Sequence, residues 1–223
     1  MRIPVRVAGV AGAIALWLAV AIGAAFLSPT ATTDAARGAP ANRQALHDQM
    51  RTLWAGDHIV WTRCVIISAG RVEDPIHDDF GLTAARLHAN QDAIGDAFRP
   101  FYGDDAANEL TALLHDHIDL AAEIIMTVKE GEDPQDAINR WYGNAADIAA
   151  LLHSLNPRNW PEATVESLLR AHLDRTFEEA GARLAGDFAG DIQAYDRVHD
   201  QILQLADALS NGIIAQFPEK FAR

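Results

Sequence analysis

The chain has one cysteine, Cys64, so no disulfide can close within it, and it offers neither a Cys-x-x-Cys-His haem site nor a zinc-finger spacing. Cys64 stands in the apolar run Cys64-Val65-Ile66-Ile67, where it reads as a small buried hydrophobe. Basic residues are scarce: 18 Lys and Arg face 31 Asp and Glu, for a formal net charge of −13. Neutralising a phosphate backbone takes clustered cations, so this balance argues against a nucleic-acid partner and describes an acidic, solvated surface. Also missing are a Gly-rich phosphate loop, a Gly-x-Ser-x-Gly elbow and any Glu-x-x-His pair of the di-iron bundles; Asp196-x-x-His199 is a lone echo. Period-two alternation is absent beyond residue 41, which leaves no strands from which to build a sheet.

What is present begins with a leader. Arg2 and Arg6 precede an uncharged stretch over 7–27, followed by Ser28-Pro29-Thr30. A basic start, an apolar core and a polar exit describe a secretory signal. The same stretch is long enough to span a bilayer, so a cleaved signal peptide and an uncleaved transmembrane anchor both fit 1–27. Under either reading the remainder is extracytoplasmic, in the periplasm or at the cell surface, and touches the membrane only if the leader stays attached. Residues 28–41, rich in Ala, Thr, Pro and Gly, read as a tether, and 42–220 as one domain. A hydrophobic share of 49% over 223 residues is enough for a single core.

That domain reads as all-α. Met50, Leu53, Trp54, Trp61 and Val65 form one helical stripe with His58 in its gap. Leu110, Leu114, Ile118, Ile125 and Val128 form a second; Val165, Leu169, Leu173, Thr176 and Ala180 form a third. Shorter patterns at 87–98, 138–152 and 192–213 follow them. Breakers fall between: Gly70 with Pro75, Pro100 with Gly103, Gly131 with Pro134, Asn156-Pro157, and Gly186. The expectation is an up-and-down bundle of about six helices in three hairpins.

The hairpins look like copies of one unit. His58, His117 and His172 recur at intervals of 59 and 55 residues, and Asn90, Asn144 and His199 at 54 and 55. Residues equidistant from a helical turn lie at one height, because both arms rise equally per residue. Burying the stripes should then bring several of these six side chains into one interior layer, with Asp147 and Asp196 each a turn away from a layer member. Such a layer can be structural, the polar groups bonding one another and fixing register. It can instead hold a small ligand or a transition metal, zinc or copper, with His58, His117, His172, His199, Asp147, Asn90 and Asn144 as candidate ligands. A third possibility is a hydrolase or transferase using the same His and Asp groups, although nothing nominates a nucleophile. His115 and His117 point to nearly opposite helix faces and do not form a pair.

Several spaced words resemble a family of small exported bacterial proteins. They are Trp61-Thr62-Arg63, Asn90-Gln91, Pro100-Phe101-Tyr102-Gly103, Leu110-Thr111-Ala112-Leu113-Leu114-x-x-His117, Trp141-Tyr142-x-Asn144-Ala145-x-Asp147-Ile148 and Asn156-Pro157. The ending matches too, with Tyr195-Asp196-x-Val198-His199, Ser210-Asn211-Gly212-Ile213 and Gln216-Phe217-Pro218. Members of that family often carry the label "glycosyltransferase". Nucleotide-sugar transferases generally build on doubly wound sheets, for which this chain offers no strands. The family pattern Asn-Gln-x-Asp departs here, with Ala93 in the Asp position; a carboxylate function there is lost or moved to Asp92 or Asp96.

Overall fold

A computed structural model describes residues 43–70 and 79–221, all within the unit Gly38–Arg223. The expected leader over 1–27, the tether over 28–41 and the connection through Asp74-Pro75 lie outside the described residues. Helix α1, Arg43–Arg51, continues through a π-helical turn, Thr52–His58, into α2, Ile59–Ala69. Then come α3, Phe80–Lys129; α4, Gln135–Leu155; α5, Glu162–Leu184; α6, Phe188–Gln216; and a 3-10 turn at Pro218–Lys220. Among the described residues there is no strand, and the all-α expectation holds.

With α1, the π turn and α2 counted as one, the described residues hold five helices, where six were expected. The second and third expected helices are joined as α3. Within it Gly103 alone leaves helical geometry, at φ 84 and ψ 178. Only glycine adopts that φ cheaply, so one residue serves as the whole turn and helical bonding resumes at once. The two limbs, 80–102 and 104–129, approach so closely that a Cβ on Gly95 would sit 1.9 Å from Thr111 Oγ1. The remaining breakers behave as the residue types suggest. Gly131 at φ 77 and Gly186 at φ 76 take left-handed backbone just past α3 and α5. Asn156-Pro157 lies between α4 and α5, where Asn156 Nδ2 donates to the Gly212 carbonyl at 2.9 Å and ties the corner to α6.

The main core gathers Met50, Phe98, Leu114, Ile148, Leu173 and Ile202, each at most 2% exposed. Every helix from α1 to α6 contributes, α2 through Ile59, because apolar residues recur every three or four positions on the face each turns inward. Each such side chain is worth roughly 1.5–3 kcal/mol of burial. Phe101 stacks on Phe221 at 6.0 Å, which holds the C-terminal turn against α3. Trp54 is buried as its stripe implies, and so are Trp141 and Trp160, whereas Trp61 on the same stripe and Cys64 are only half-buried. Two smaller apolar clusters stand apart from the main core: Val65 with Leu87 and Ile118, and Ile66 with Ala69, Ile125 and Ala180. A buried charge network links α2 to α5 and α6. Arg63 Nη1 donates to Glu179 Oε1 at 2.7 Å and to Asp191 Oδ1 at 2.6 Å, and Arg183 reaches Asp191 Oδ2 at 3.3 Å. Among the described residues, no helix is long and apolar enough to cross a membrane.

Candidate functional site

Three amide side chains make the same bond at three places in the chain. Asn90 Nδ2 donates to the Leu53 carbonyl at 3.0 Å, Asn144 Nδ2 to Leu113 at 2.9 Å and Gln201 Nε2 to Leu168 at 2.7 Å. A histidine follows each of those leucines, after five, four and four residues: His58, His117 and His172. The odd spacing of five falls where the helix is π-helical, over Thr52–His58. A π turn closes i→i+5 bonds, so it absorbs one extra residue and still returns His58 to the face that the other two histidines occupy one α turn on.

The three imidazoles are buried, at 2%, 4% and 3% exposure, and they meet. His58 Nε2 lies 3.3 Å from His172 Nε2, and the His117 and His172 rings are stacked with centroids 6.4 Å apart. The hydrogen-bond partners fix where the protons sit. Gln91 Nε2, whose two protons point to the Leu87 carbonyl and to Asn90 Oδ1 at 3.0 Å each, lies 3.2 Å from His58 Nδ1. An NH₂ group cannot accept, so His58 Nδ1 carries the lone pair and Nε2 the proton. That proton is given to His172 Nε2, which leaves the His172 proton on Nδ1. On His117, Nδ1 donates to Asn144 Oδ1 at 2.9 Å, and Nε2 keeps its lone pair.

Burial holds all three rings neutral. Desolvation, with a smaller push from His117, lowers His58 to about 3 from an ordinary 6.5. Desolvation lowers His117 to about 4 against the pull of Asn144, and His172 falls well below its ordinary value for the same reason, with His58 and His117 adding to it. Trp141 packs on His117 at 5.2 Å between centroids and donates its Nε1 proton to the His117 carbonyl at 3.0 Å.

The cluster heads an apolar cavity of about 70 Å³. Members of the two small hydrophobic clusters wall it, among them Val65, Leu87, Ile118, Ile66 and Ile125, so the cavity is why those clusters stand apart from the main core. It reaches solvent where Val128 and Phe177, both exposed, line it. Two of the residues that line it carry a buried polar atom without a partner: His172 Nδ1 and Thr176 Oγ1. The threonine is informative. Thr62 Oγ1 bonds back to the His58 carbonyl one turn earlier at 2.8 Å, as helical threonines commonly do, while the Thr176 hydroxyl makes no such bond.

Of the residues singled out in the sequence, His58, His117, His172 and Asn144 come together. Asn90 is buried nearby but spends its amide on Leu53 and Gln91. His199 does not join them: its side chain is 42% exposed and its nearest carboxylate is Asp200 at 3.8 Å. On α6 the inward face is Val198, Gln201, Ile202 and Leu205, which turns position 199 to the flank and makes Gln201 the third amide of the series. Asp147 is also exposed, because Asn144, Ala145, Ile148 and Ala149 take the inward face of α4. It lines an open acidic groove with Asp116, Asp119 and Glu123. Gln91, Gln201 and Thr176, none of them expected in the polar layer, join it. No spacing marked Gln201: the three amides lie 37, 31 and 33 residues after their leucines, and a histidine stands two residues before Gln201 at the expected interval. Among the described residues, no group of three or more His, Cys, Asp or Glu side chains is arranged to hold a metal ion. Comparison with protein-family models, curated proteins and solved structures gives no match.

Proposed function

We propose that this protein is an exported helical bundle that binds a small, largely apolar ligand in the cavity headed by His58, His117 and His172. The observation that carries the reading is the pairing of an apolar chamber with two buried, unpartnered polar atoms on residues that line it. Leaving such atoms unsatisfied costs on the order of 1–3 kcal/mol each, a cost that a ligand's polar group would remove. Gln91 Oε1 and Gln201 Oε1 in the polar layer also lack a partner, but His172 and Thr176 are the residues with such atoms that line the cavity, which is what a purely structural layer, the main rival, does not require. Export rests on the leader over 1–27 and on the resemblance to small exported bacterial proteins. The architecture is read as a tripled hairpin whose six arms include the two limbs of α3; the three amide-to-leucine bonds support that ancestry. The test is native mass spectrometry of untagged, gently purified protein, with tryptophan fluorescence reporting through Trp141 in the cavity wall. A bound small molecule, or saturable quenching by apolar probes, is expected. Protein that is empty and indifferent to every probe would overturn the reading.

A second reading has one specific observation in its favour. Two imidazole nitrogens on a tetrahedral zinc, each about 2.0–2.1 Å from the metal, lie roughly 3.3 Å apart. His58 Nε2 and His172 Nε2 have that separation, 3.3 Å. In this reading the pair, with His117, receives zinc or copper after the shared proton leaves. Metal analysis of protein made without a His tag decides it: stoichiometric metal that disappears in a His117→Ala, His172→Ala double variant supports it. Metal-free protein whose melting temperature ignores added zinc and copper removes it.

A further inference from the structure

We infer that the ligand carries an uncharged oxygen head, a hydroxyl or a carbonyl, seated in the cavity against His172 Nδ1 and Thr176 Oγ1. This rests on the ligand-binding reading above and adds the chemical class. That seat offers one N–H, one hydroxyl and the lone pair of His117 Nε2, and no formal charge. Arg175, the guanidinium whose charge acts on His172, is spent on the Ala171 carbonyl at 2.9 Å, and Arg63 is engaged by Glu179 and Asp191.

An uncharged oxygen suits this set on two counts. A carbonyl or hydroxyl oxygen accepts from the His172 N–H and the Thr176 O–H, and a hydroxyl can in addition give its own proton to His117 Nε2. A carboxylate would enter a dry site without a counter-ion, which is costly. The three rings cannot supply that charge near neutral pH, because burial keeps them unprotonated. An amine fares no better, with two donors already facing the same space. The size of the chamber narrows the choice further. About 70 Å³ is roughly half of the ~150 Å³ cavity that admits benzene, so the closed part takes the head and its first few carbons. The remaining chain then lies toward the mouth, along Val128 and Phe177, which are apolar yet solvent-exposed.

Four probes of similar length test this with the full exported domain at pH 7.5: 1-hexanol, 2-hexanone, hexanoate and hexane. Binding is followed by calorimetry and by Trp141-reported fluorescence. The alcohol and ketone are expected to bind at least about tenfold more tightly than hexanoate, and about tenfold more tightly than hexane, the difference one or two hydrogen bonds make. Thr176→Val, close in shape, should lower affinity for hexanol several-fold and leave hexane unchanged, whereas Thr176→Ser should keep hexanol affinity. Should Thr176→Val fail to fold, the ranking of the four probes on the natural chain still decides. If no probe binds, the cavity reading itself fails. If hexanoate or hexane binds as well as hexanol, the cavity reading stands and the uncharged oxygen head is wrong.

Discussion

His58 and His172 face one another through their Nε2 atoms at 3.3 Å, one ring giving its proton and the other its lone pair. Neither can take a second proton without conflict. Protonating His172 at Nε2 sets two N–H groups head to head, and protonating His58 at Nδ1 drives a proton into the Gln91 amide. The pair is therefore a device that works only while neutral, and burial is what keeps it so.

The consequence is a specific pH window. His58 and His117 have folded values of about 3 and about 4 against an ordinary 6.5, and His172 is lowered as well. The unfolded chain thus binds protons that the folded chain refuses, and stability drops as pH falls from about 6.5 toward about 4. The slope is about 1.4 kcal/mol per pH unit for each histidine fully titrating. Urea melts at pH 7.5, 6 and 5 should show this loss beginning well above the carboxylate range. The Asp207 carboxyl, held below 3.8 by Arg51, adds its own loss only at lower pH. Stability unchanged between pH 6.5 and 4.5 would mean that the imidazoles are not buried neutral.

Glu179 acts in the opposite sense. Burial pushes its carboxyl up to about 7 from 4.5, against the pull of Arg63 at 2.7 Å. A raised folded value contributes stability below about pH 4.5 that is lost as pH rises through about 7. Glu179→Gln mimics the protonated form, so the variant should gain on the natural chain by about 1–3 kcal/mol between pH 5 and pH 8.5. Asp191→Ala is expected to behave differently. It leaves Arg63 and Arg183 without their shared buried partner and should cost about 3–5 kcal/mol. Parallel denaturation curves for the Glu179→Gln and natural chains across that range would count against the raised value.

Much of this was written in the sequence, for reasons of periodicity. Met50, Leu114 and Leu173 sit on stripes spaced by three and four, and all three are buried. Histidines 58, 117 and 172 lie in those stripes and are carried inside with them. Local signals were weaker guides where two outcomes differ by one residue. Pro100 with Gly103 reads as a connection between two helices, yet a single glycine at φ 84 does the turning, so helical bonding runs on through α3. Position 199 copies the residue type expected of the layer while Gln201 occupies its geometry, a difference of about 200° around a helix that residue type does not reveal. The cavity was not legible at all, because it arises from how three apolar clusters fail to close on one another.

That distinction can be measured. Gln201→Ala removes the bond to the Leu168 carbonyl at 2.7 Å in a buried setting and should cost about 1–2 kcal/mol. His199→Ala, at a flank position 42% exposed, should change stability by less than about 0.5 kcal/mol. Equal effects would restore His199 to the polar layer and displace Gln201 from it.

Two glycines make a paired test of the packing. At Gly212 a Cβ would stand 2.0 Å from Trp160 Nε1 and 2.5 Å from its Cε2. The indole has no free room to retreat. It is 1% exposed, donates to the Ala208 carbonyl at 3.1 Å, and packs on Phe98 and Tyr102 with centroids about 6 Å away. Gly212→Ala should therefore destabilise by about 1–3 kcal/mol or more through overpacking. Gly143, in the middle of α4, meets nothing within 4 Å of an added Cβ and is exposed. There Gly→Ala should stabilise by about 0.5–1 kcal/mol, since alanine loses less backbone entropy in a helix. Opposite signs from the same chemical change are what a close approach of α6 to Trp160 demands. A tolerated Gly212→Ala would place that helix farther from the indole than this packing allows.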